Sequence, residues 1–502
     1  MLRRCLVSGD ARSLQNCCGA DKVPGGFDSH SPPPISPYYK EIPSVSSFVA
    51  GPEGQALCGS FGEEITKLEL RRMLEELRTQ IREGDLSVIP ENTNIAAELR
   101  KRMLRFTSPQ GRVAVNATGI LLHTGLGRAP LCDEAIAMLS GMNRYSVLQT
   151  GLASGKRSMR EEKIERMLSE LTGCEAATVV NNNAAATMLA LNTLASGREV
   201  IVSRGQLVEI GGSFRMPDVM AAGMVIMREV GTTNRTHLYD FERNIGEKTG
   251  ALIRVHASNY RVRGFTAMPE IKELCDLGRR YHLPVIDDLG GGALVRLSQF
   301  GLTDEPLVAD SLRAGSDVVC FSADKLICGP QAGILCGKKE LIQRIRKNPF
   351  ARMFRVCKLT LAALEATLLH FVNDTYRSAL PFYKMLSVAN ATLEERAGRL
   401  LEIINEINGL KAGSADDLSY IGSGSLPDEG VPTKVVRIAL ERPLSDCTSL
   451  EKIVAELRLS VPSIFCRIQE NAIMFDMRTL FDGQEVYIAS SVRRIVNERL
   501  TR

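Results

Sequence analysis

From about residue 112 to residue 370 the chain alternates short apolar runs with amphipathic stretches, a pattern few folds accept. The runs are Ala177–Val180, Val200–Val202, Met224–Met227, Ala251–Val255, Pro284–Ile286, Val318–Phe321 and Gly333–Leu335. Helices such as 161–171 and 267–281 lie between many of them. Strands alternating with helices predict a mostly parallel α/β sheet covered by helices on both faces. In such sheets function gathers at the loops after the strand carboxyl ends, and the polar clusters of this chain fall there.

The flanks read differently. Residues 1–40 hold Cys5, Cys17, Cys18, glycine pairs and the run Ser31-Pro-Pro-Pro-Ile-Ser-Pro without apolar periodicity, which predicts a disordered extension. Its basic start, Met-Leu-Arg-Arg-Cys-Leu, suits an organellar transit peptide, while Asp10, Asp21 and Asp28 suit an untargeted tail at least as well. Residues 41–108 predict a helical domain: Leu70, Met73, Leu74, Leu77 and Ile81 share one helix face, with Gly84 as the stop. A second helix over about 91–105 carries Arg100, Lys101, Arg102 and Arg105, which spacing alone reads as a solvated face. Residues 109–370 form the large domain. Residues 371–502 predict a smaller α+β domain with a helix over 388–408, a loop rich in Gly, Ser and Asp over 411–430, strand Lys434–Leu440, a helix over 448–458 and strand Ala472–Asp476.

Composition removes several classes of function. With 44% apolar and 24% charged residues over 502 positions, the chain has the means to build a core. No run of 18 apolar residues is present, so no membrane-spanning helix is expected. A net charge of +4 gives no bulk attraction to DNA or RNA, so any such contact must come from a local patch. The 13 cysteines form no Cys-x-x-Cys pair, and Cys174, Cys320, Cys328 and Cys336 sit singly in apolar segments. They predict reduced thiols in a cytoplasmic protein without a structural metal.

Chemistry is concentrated in a few words of sequence. Asp317-Val-Val-Cys-Phe321 runs into Ser322-Ala-Asp-Lys325 and a Gly-Pro-Gln-Ala-Gly turn. A lysine just beyond a buried strand is partly desolvated, which lowers its pKa and favours attack on an aldehyde, while the serine hydroxyl can hold a phosphate. Taken alone, Lys325 reads better as a surface lysine on a strand-to-helix loop. Leu283-Pro-Val-Ile-Asp-Asp-Leu-Gly-Gly-Gly292 places an acid at a strand end; Asp287 and Asp288 point to opposite faces, so only one can meet a cofactor ring. Asn181, Asn182 and Asn183 open a helical run, where free amides and the dipole favour a phosphate and where one asparagine would suffice as a cap. Gln206, in Val202-Ser-Arg-Gly-Gln206, offers a planar side chain to lie over a ring. Together, a phosphate cradle, a later strand-end acid and a lysine 37 residues beyond it follow the order of fold-type-I pyridoxal phosphate enzymes. No P-loop, G-x-G-x-x-G or Ser-His-Asp arrangement competes.

Longer motifs then carry a resemblance. Asn116-Ala-Thr-Gly-Ile-Leu-Leu-His-Thr-Gly-Leu-Gly-Arg-Ala-Pro-Leu131, Asn181-Asn-Asn-Ala-Ala, Ser203-Arg-Gly-Gln-Leu-Val-Glu-Ile-Gly-Gly212, Val230-Gly-Thr-Thr-Asn-Arg-Thr-His237, Ser258-Asn-Tyr-Arg, Gly264-Phe-Thr and Ser322-Ala-Asp-Lys-Leu are similar to the bacterial selenocysteine synthases, the L-seryl-tRNA(Sec) selenium transferases. The likeness extends over nearly everything after residue 40. It implies pyridoxal 5'-phosphate on Lys325 paired with Asp288, and a homodecamer built as a pentamer of dimers. It implies a tRNA-binding domain in the segment that carries Arg100, Lys101, Arg102 and Arg105. It also implies an anion site for selenophosphate at Arg128, Arg352 and Arg355; the last two are three apart on an expected helix, hence on one face. The reaction implied is a β-replacement on seryl-tRNA(Sec), with Lys325 moving the α-proton and Asp324 orienting phosphate departure. The chain departs from the family at Gly125, Gly291 and Ala323, where Asn, Ser and Gly are usual; all leave the ionisable groups in place.

Two rivals make different demands. A pyridoxal phosphate lyase for a small amino acid or amino sugar has no need of residues 41–108. A non-catalytic RNA-binding relative has no use for Lys325, Asp288 and the three arginines.

Overall fold

The structure, a computed structural model, describes residues 42–83, 89–107, 111–212, 214–440 and 449–500. The extension over 1–40 and the helix stop at Gly84 lie outside the described residues. Two compact units divide the chain, Met1–Gly111 and Arg112–Arg502.

In the first unit, helix α1 (Glu63–Glu83) buries Leu70, Met73, Leu74 and Ile81, the face the spacing predicts. Helix α2 (Asn92–Thr107) buries Ile95, Leu99 and Met103 in the same cluster. Each such side chain contributes roughly 1.5–3 kcal/mol when fully buried. Glu63 and Glu64 in the first turn of α1 and Arg82 in its last turn complement the helix dipole. Of the basic run, Arg102 reaches Glu76 of α1 at 2.7 Å and Glu98 at 3.5 Å, so it ties the two helices together. Lys101 lies 3.7 Å from Glu98, while Arg100 and Arg105 are exposed without an ion pair among the described residues.

The second unit is organised by seven strands: β1 (Ala176–Val180), β2 (Glu199–Ser203), β3 (Ile226–Val230), β4 (Thr249–Val255), β5 (Val285–Gly290), β6 (Val318–Ser322) and β7 (Gly333–Gly337). Their spatial order is β1-β7-β6-β5-β4-β2-β3. Only β7 runs against the others, pairing Gly333 with Val180 on one side and with Ser322 on the other. The strands are Val- and Ile-rich because both faces are covered. On β6, Val318 and Cys320 join a core with Leu189 of helix α3 (Asn183–Ala195), and Val319 and Phe321 join the opposite core with Leu168. Six carboxyl ends thus share one edge of the sheet, and the next residues are Asn181, Arg204, Gly231, His256, Gly291 and Ala323.

One expected element is replaced. The stretch over 411–430 is no loop: β8 (Leu410–Gly422) and β9 (Ser425–Leu440) form a long antiparallel hairpin. Its polar composition reflects a solvated face and cross-strand ion pairing, with Asp416 directly opposite Lys434 and 2.8 Å from its ammonium. Composition reports polarity, and a half-exposed strand is as polar as a loop. Strands β10 (Arg467–Gln469) and β11 (Ala472–Asp476) complete this sheet in the order β8-β9-β11-β10. The tip of the hairpin matters for the site, because Ile421, Leu426 and Val431 pack into the same core as Phe321 and Leu326.

Candidate active site

Lys325 ends the turn that follows β6, and its side chain is almost wholly buried. The turn is held from behind: Ala323 N–H donates to Ala332 O at 2.9 Å, and the buried Tyr383 hydroxyl donates to Leu326 O at 2.8 Å. Ala323, one of the departures from the family, is fully buried, so its methyl adds to the core beneath the lysine. Burial lowers the pKa of Lys325, and the nearby Arg128 cation lowers it further. A neutral amine is a nucleophile and a base; an ammonium is neither.

Across a cavity of about 260 Å³ lies Asp288, whose carboxylate accepts Asn183 Nδ2 at 2.8 Å, the Thr187 hydroxyl at 2.8 Å and Gly290 N–H at 3.1 Å. Burial raises its pKa; these donors and the charge of Lys325 pull it back. Its neighbour Asp287 faces the other way, fully buried in a two-pronged pair with Arg254, both contacts at 2.7 Å. Of the two acids, Asp288 is the one on the cavity wall.

The asparagines divide their tasks. Asn182 caps α3, accepting Ala185 N–H at 2.9 Å, and Asn183 turns to Asp288. Asn181 is exposed and is absent from the cavity wall; its N–H donates to Phe354 O at 3.0 Å. Ser322, Asp324 and Arg128 do line the cavity, and Arg128 is paired to Asp324. Arg128 has a left-handed backbone, φ 64°, directly after Gly127 at φ 90°. That backbone geometry is uncommon for a residue other than glycine.

Three expectations change. Gln206 is not on this wall; its Oε1 accepts Val255 N–H at 3.1 Å, filling the hydrogen-bonding need of a buried strand end. The helix expected to carry Arg352 and Arg355 is only Pro349–Met353. Arg355 lies past its end, bridged to Val180, because Asn181 draws the chain at Phe354 toward the sheet. Both arginines line a second cavity, apart from the one shared by Arg128 and Lys325.

Two residues of the site went unread in the sequence: Thr187, buried behind Asp288, and His256, on the cavity wall. Thr187 is four residues after Asn183, on the same helix face, and that spacing was a usable signal. His256 follows β4 directly at the functional edge, and its Nε2 lies 2.9 Å from Glu305, whose other oxygen accepts Leu426 N–H from the hairpin tip at 3.1 Å. Glu305 is far away in sequence, so nothing local announced the pair.

The donor set can be tested for a cofactor. Asn183 Oδ1 and Ser258 Oγ are buried without a hydrogen-bond partner, although both residues line the cavity. Such atoms cost about 1–3 kcal/mol each unless a ligand reaches them. A desolvated amine, an opposed carboxylate and a helix amino end fit a small aromatic aldehyde bearing a phosphate.

Comparison with known proteins agrees with this arrangement. A solved D-glucosaminate-6-phosphate ammonia-lyase matches with a TM-score of 0.53 at 19% identity, covering 77% of this chain and 96% of its own, a likeness of fold alone. The L-seryl-tRNA(Sec) selenium transferase of Alkaliphilus metalliredigens is 41% identical over 462 residues, covering 91% of this chain and 98% of its own length. That of Aquifex aeolicus is 41% identical over 460 residues, covering 91% and 99%. The sequence profile of the L-seryl-tRNA selenium transferases matches residues 114–481, a span that contains Lys325, Asp288, Arg128 and all seven strands of the sheet. The fold is that of the fold-type-I pyridoxal phosphate enzymes, and the chain belongs to the L-seryl-tRNA selenium transferase family.

Proposed function

We propose that this protein converts L-seryl-tRNA(Sec) to L-selenocysteinyl-tRNA(Sec), with pyridoxal 5'-phosphate as cofactor and selenophosphate as selenium donor. The observation that carries the reading is the buried Lys325 facing Asp288 across one cavity, within a chain of this family. When bound, the cofactor supplies an electron sink for the bond at the seryl α-carbon.

The chain's residues do the rest. Lys325 Nζ, whose ammonium burial disfavours, would hold the cofactor's aldehyde, take the seryl α-proton as the seryl hydroxyl leaves as water, and return a proton there after selenium adds. Asp288, steadied by Asn183 and Thr187, would pair with the cofactor's ring nitrogen. The amino end of α3 and Ser322 would receive the cofactor phosphate. Arg128 and Asp324 hold each other beside the amine, on the wall of the Lys325 cavity. Arg352 and Arg355 bind the phosphate of the donor as guanidinium forks. Arg100, Lys101 and Arg105 offer cations to the tRNA backbone.

A homodecamer in the cytoplasm belongs to the same reading and rests on the resemblance. No helix among the described residues is long and apolar enough to cross a membrane.

The test is direct. Purified protein with pyridoxal phosphate, seryl-tRNA(Sec) and labelled selenophosphate should yield labelled selenocysteinyl-tRNA(Sec), and ordinary serine tRNA should not support the reaction. Label on neither tRNA would reject the reading.

A further inference from the structure

The cavity that holds Arg352 and Arg355 has a third guanidinium that no part of the reaction above uses. Its volume is about 360 Å³, and Arg160 lines it together with those two. Arg160 stands two residues before helix Glu162–Thr172, and its Nε is buried with no hydrogen-bond partner. None of the three arginines has an ion pair among the described residues, in a protein whose other arginines are mostly paired. The adjacent carboxylate relieves Arg160 only in part: Glu161 is turned inward, where it accepts the Thr178 hydroxyl at 2.8 Å, and burial raises its pKa. Arg346, on the same wall, is already engaged with Glu165 at 2.9 Å. Burial makes the charged state of Arg160 harder to keep and Arg355 adds repulsion; Glu161 offsets part of this, and Arg352 repels more weakly.

Like charges around a shared space and a buried donor left open both cost stability. A tetrahedral dianion removes both costs at once, because each face accepts one planar fork. The one carboxylate on the wall, Glu161, already accepts the Thr178 hydroxyl, and no ion pair joins it to any of the three arginines.

We propose that Arg160 is a third phosphoryl-anion ligand, acting with Arg352 and Arg355 on the phosphate of the selenium donor. The donor's identity rests on the proposed function; the anion site itself does not. Arg160 sets the site's preference for a doubly charged tetrahedral group, since two forks are enough for a planar monoanion such as a carboxylate.

The experiment uses the full-length holoenzyme. Inorganic phosphate is titrated by calorimetry, and selenium transfer is followed at varied selenophosphate. Arg160→Gln should weaken phosphate binding about tenfold to a hundredfold, the loss of one charge-assisted bond to an ion. It should raise KM for selenophosphate by a similar factor, more than it lowers kcat, and leave seryl-tRNA(Sec) affinity unchanged. Arg160→Lys should recover part of the loss, as a point charge in place of a fork. Wild-type phosphate affinity in a normally melting Arg160→Gln protein would overturn the proposal, as would wild-type enzyme that binds no phosphate. Should Arg160→Gln fail to fold, wild-type affinity in Arg160→Lys would overturn it equally. If phosphate binding depends on Arg160 but selenophosphate is never turned over, the anion site stands and the proposed function fails.

Discussion

The hydroxyl of Thr187 donates to Oδ2 of Asp288 at 2.8 Å, and both side chains are buried between α3 and the sheet. With Asn183 on Oδ1, it leaves the carboxylate one orientation. Thr187→Val keeps the shape and removes the donor. Cofactor affinity should fall by about 1.5–3 kcal/mol, the value of a hydrogen bond to a charged group, or roughly tenfold to a hundredfold. Fluorescence titration with pyridoxal phosphate measures it; unchanged affinity would mean that Asn183 alone orients the acid.

The two neighbouring acids should fail in opposite ways. Asp287→Ala strands the mostly buried Arg254 and should cost about 3–5 kcal/mol of stability in urea unfolding. Asp288→Asn should fold, since it removes a buried carboxyl that burial already disfavours as an anion, yet lose activity on the order of a hundredfold or more. A reversal of these two phenotypes would mean that the wrong acid has been assigned.

Lys325 should titrate below the ordinary lysine value of 10.5, because burial and then Arg128 disfavour its ammonium. In cofactor-stripped protein, borohydride fixation of pyridoxal phosphate should occur on the Lys325 peptide, with a pH midpoint below that of free lysine. Arg128→Gln removes a cation and leaves Asp324 unpaired; both changes favour the ammonium, so the midpoint should move up. Fixation on another lysine would sink the site.

The basic run of the first unit should separate by partner. Arg100→Glu with Arg105→Glu should weaken tRNA binding and flatten its salt dependence by about one unit of slope per lost phosphate contact. Arg102→Glu instead sets like charges against Glu76 and Glu98, and should lower the melting temperature first. Equal tRNA loss in both variants with no change in melting would contradict this division.

Local pattern carried much of this protein. The apolar runs and the intervening amphipathic stretches determined the strands, their parallel sense and the edge where Lys325, Asp288 and Asn183 meet, because burial of a two-faced strand admits little else. The face of α1 was equally legible, since helical periodicity is a local property. Tertiary structure decided the rest. It made a hairpin of 411–430, where composition cannot tell a half-exposed strand from a loop. It set Gln206 on Val255 N–H, Asn181 on Phe354 and His256 on Glu305, and it grouped Arg160 with Arg352 and Arg355, away from Arg128. Each of these depends on which distant donor or acceptor a polar side chain meets, and that is settled only when the sheet brings remote segments within hydrogen-bond reach.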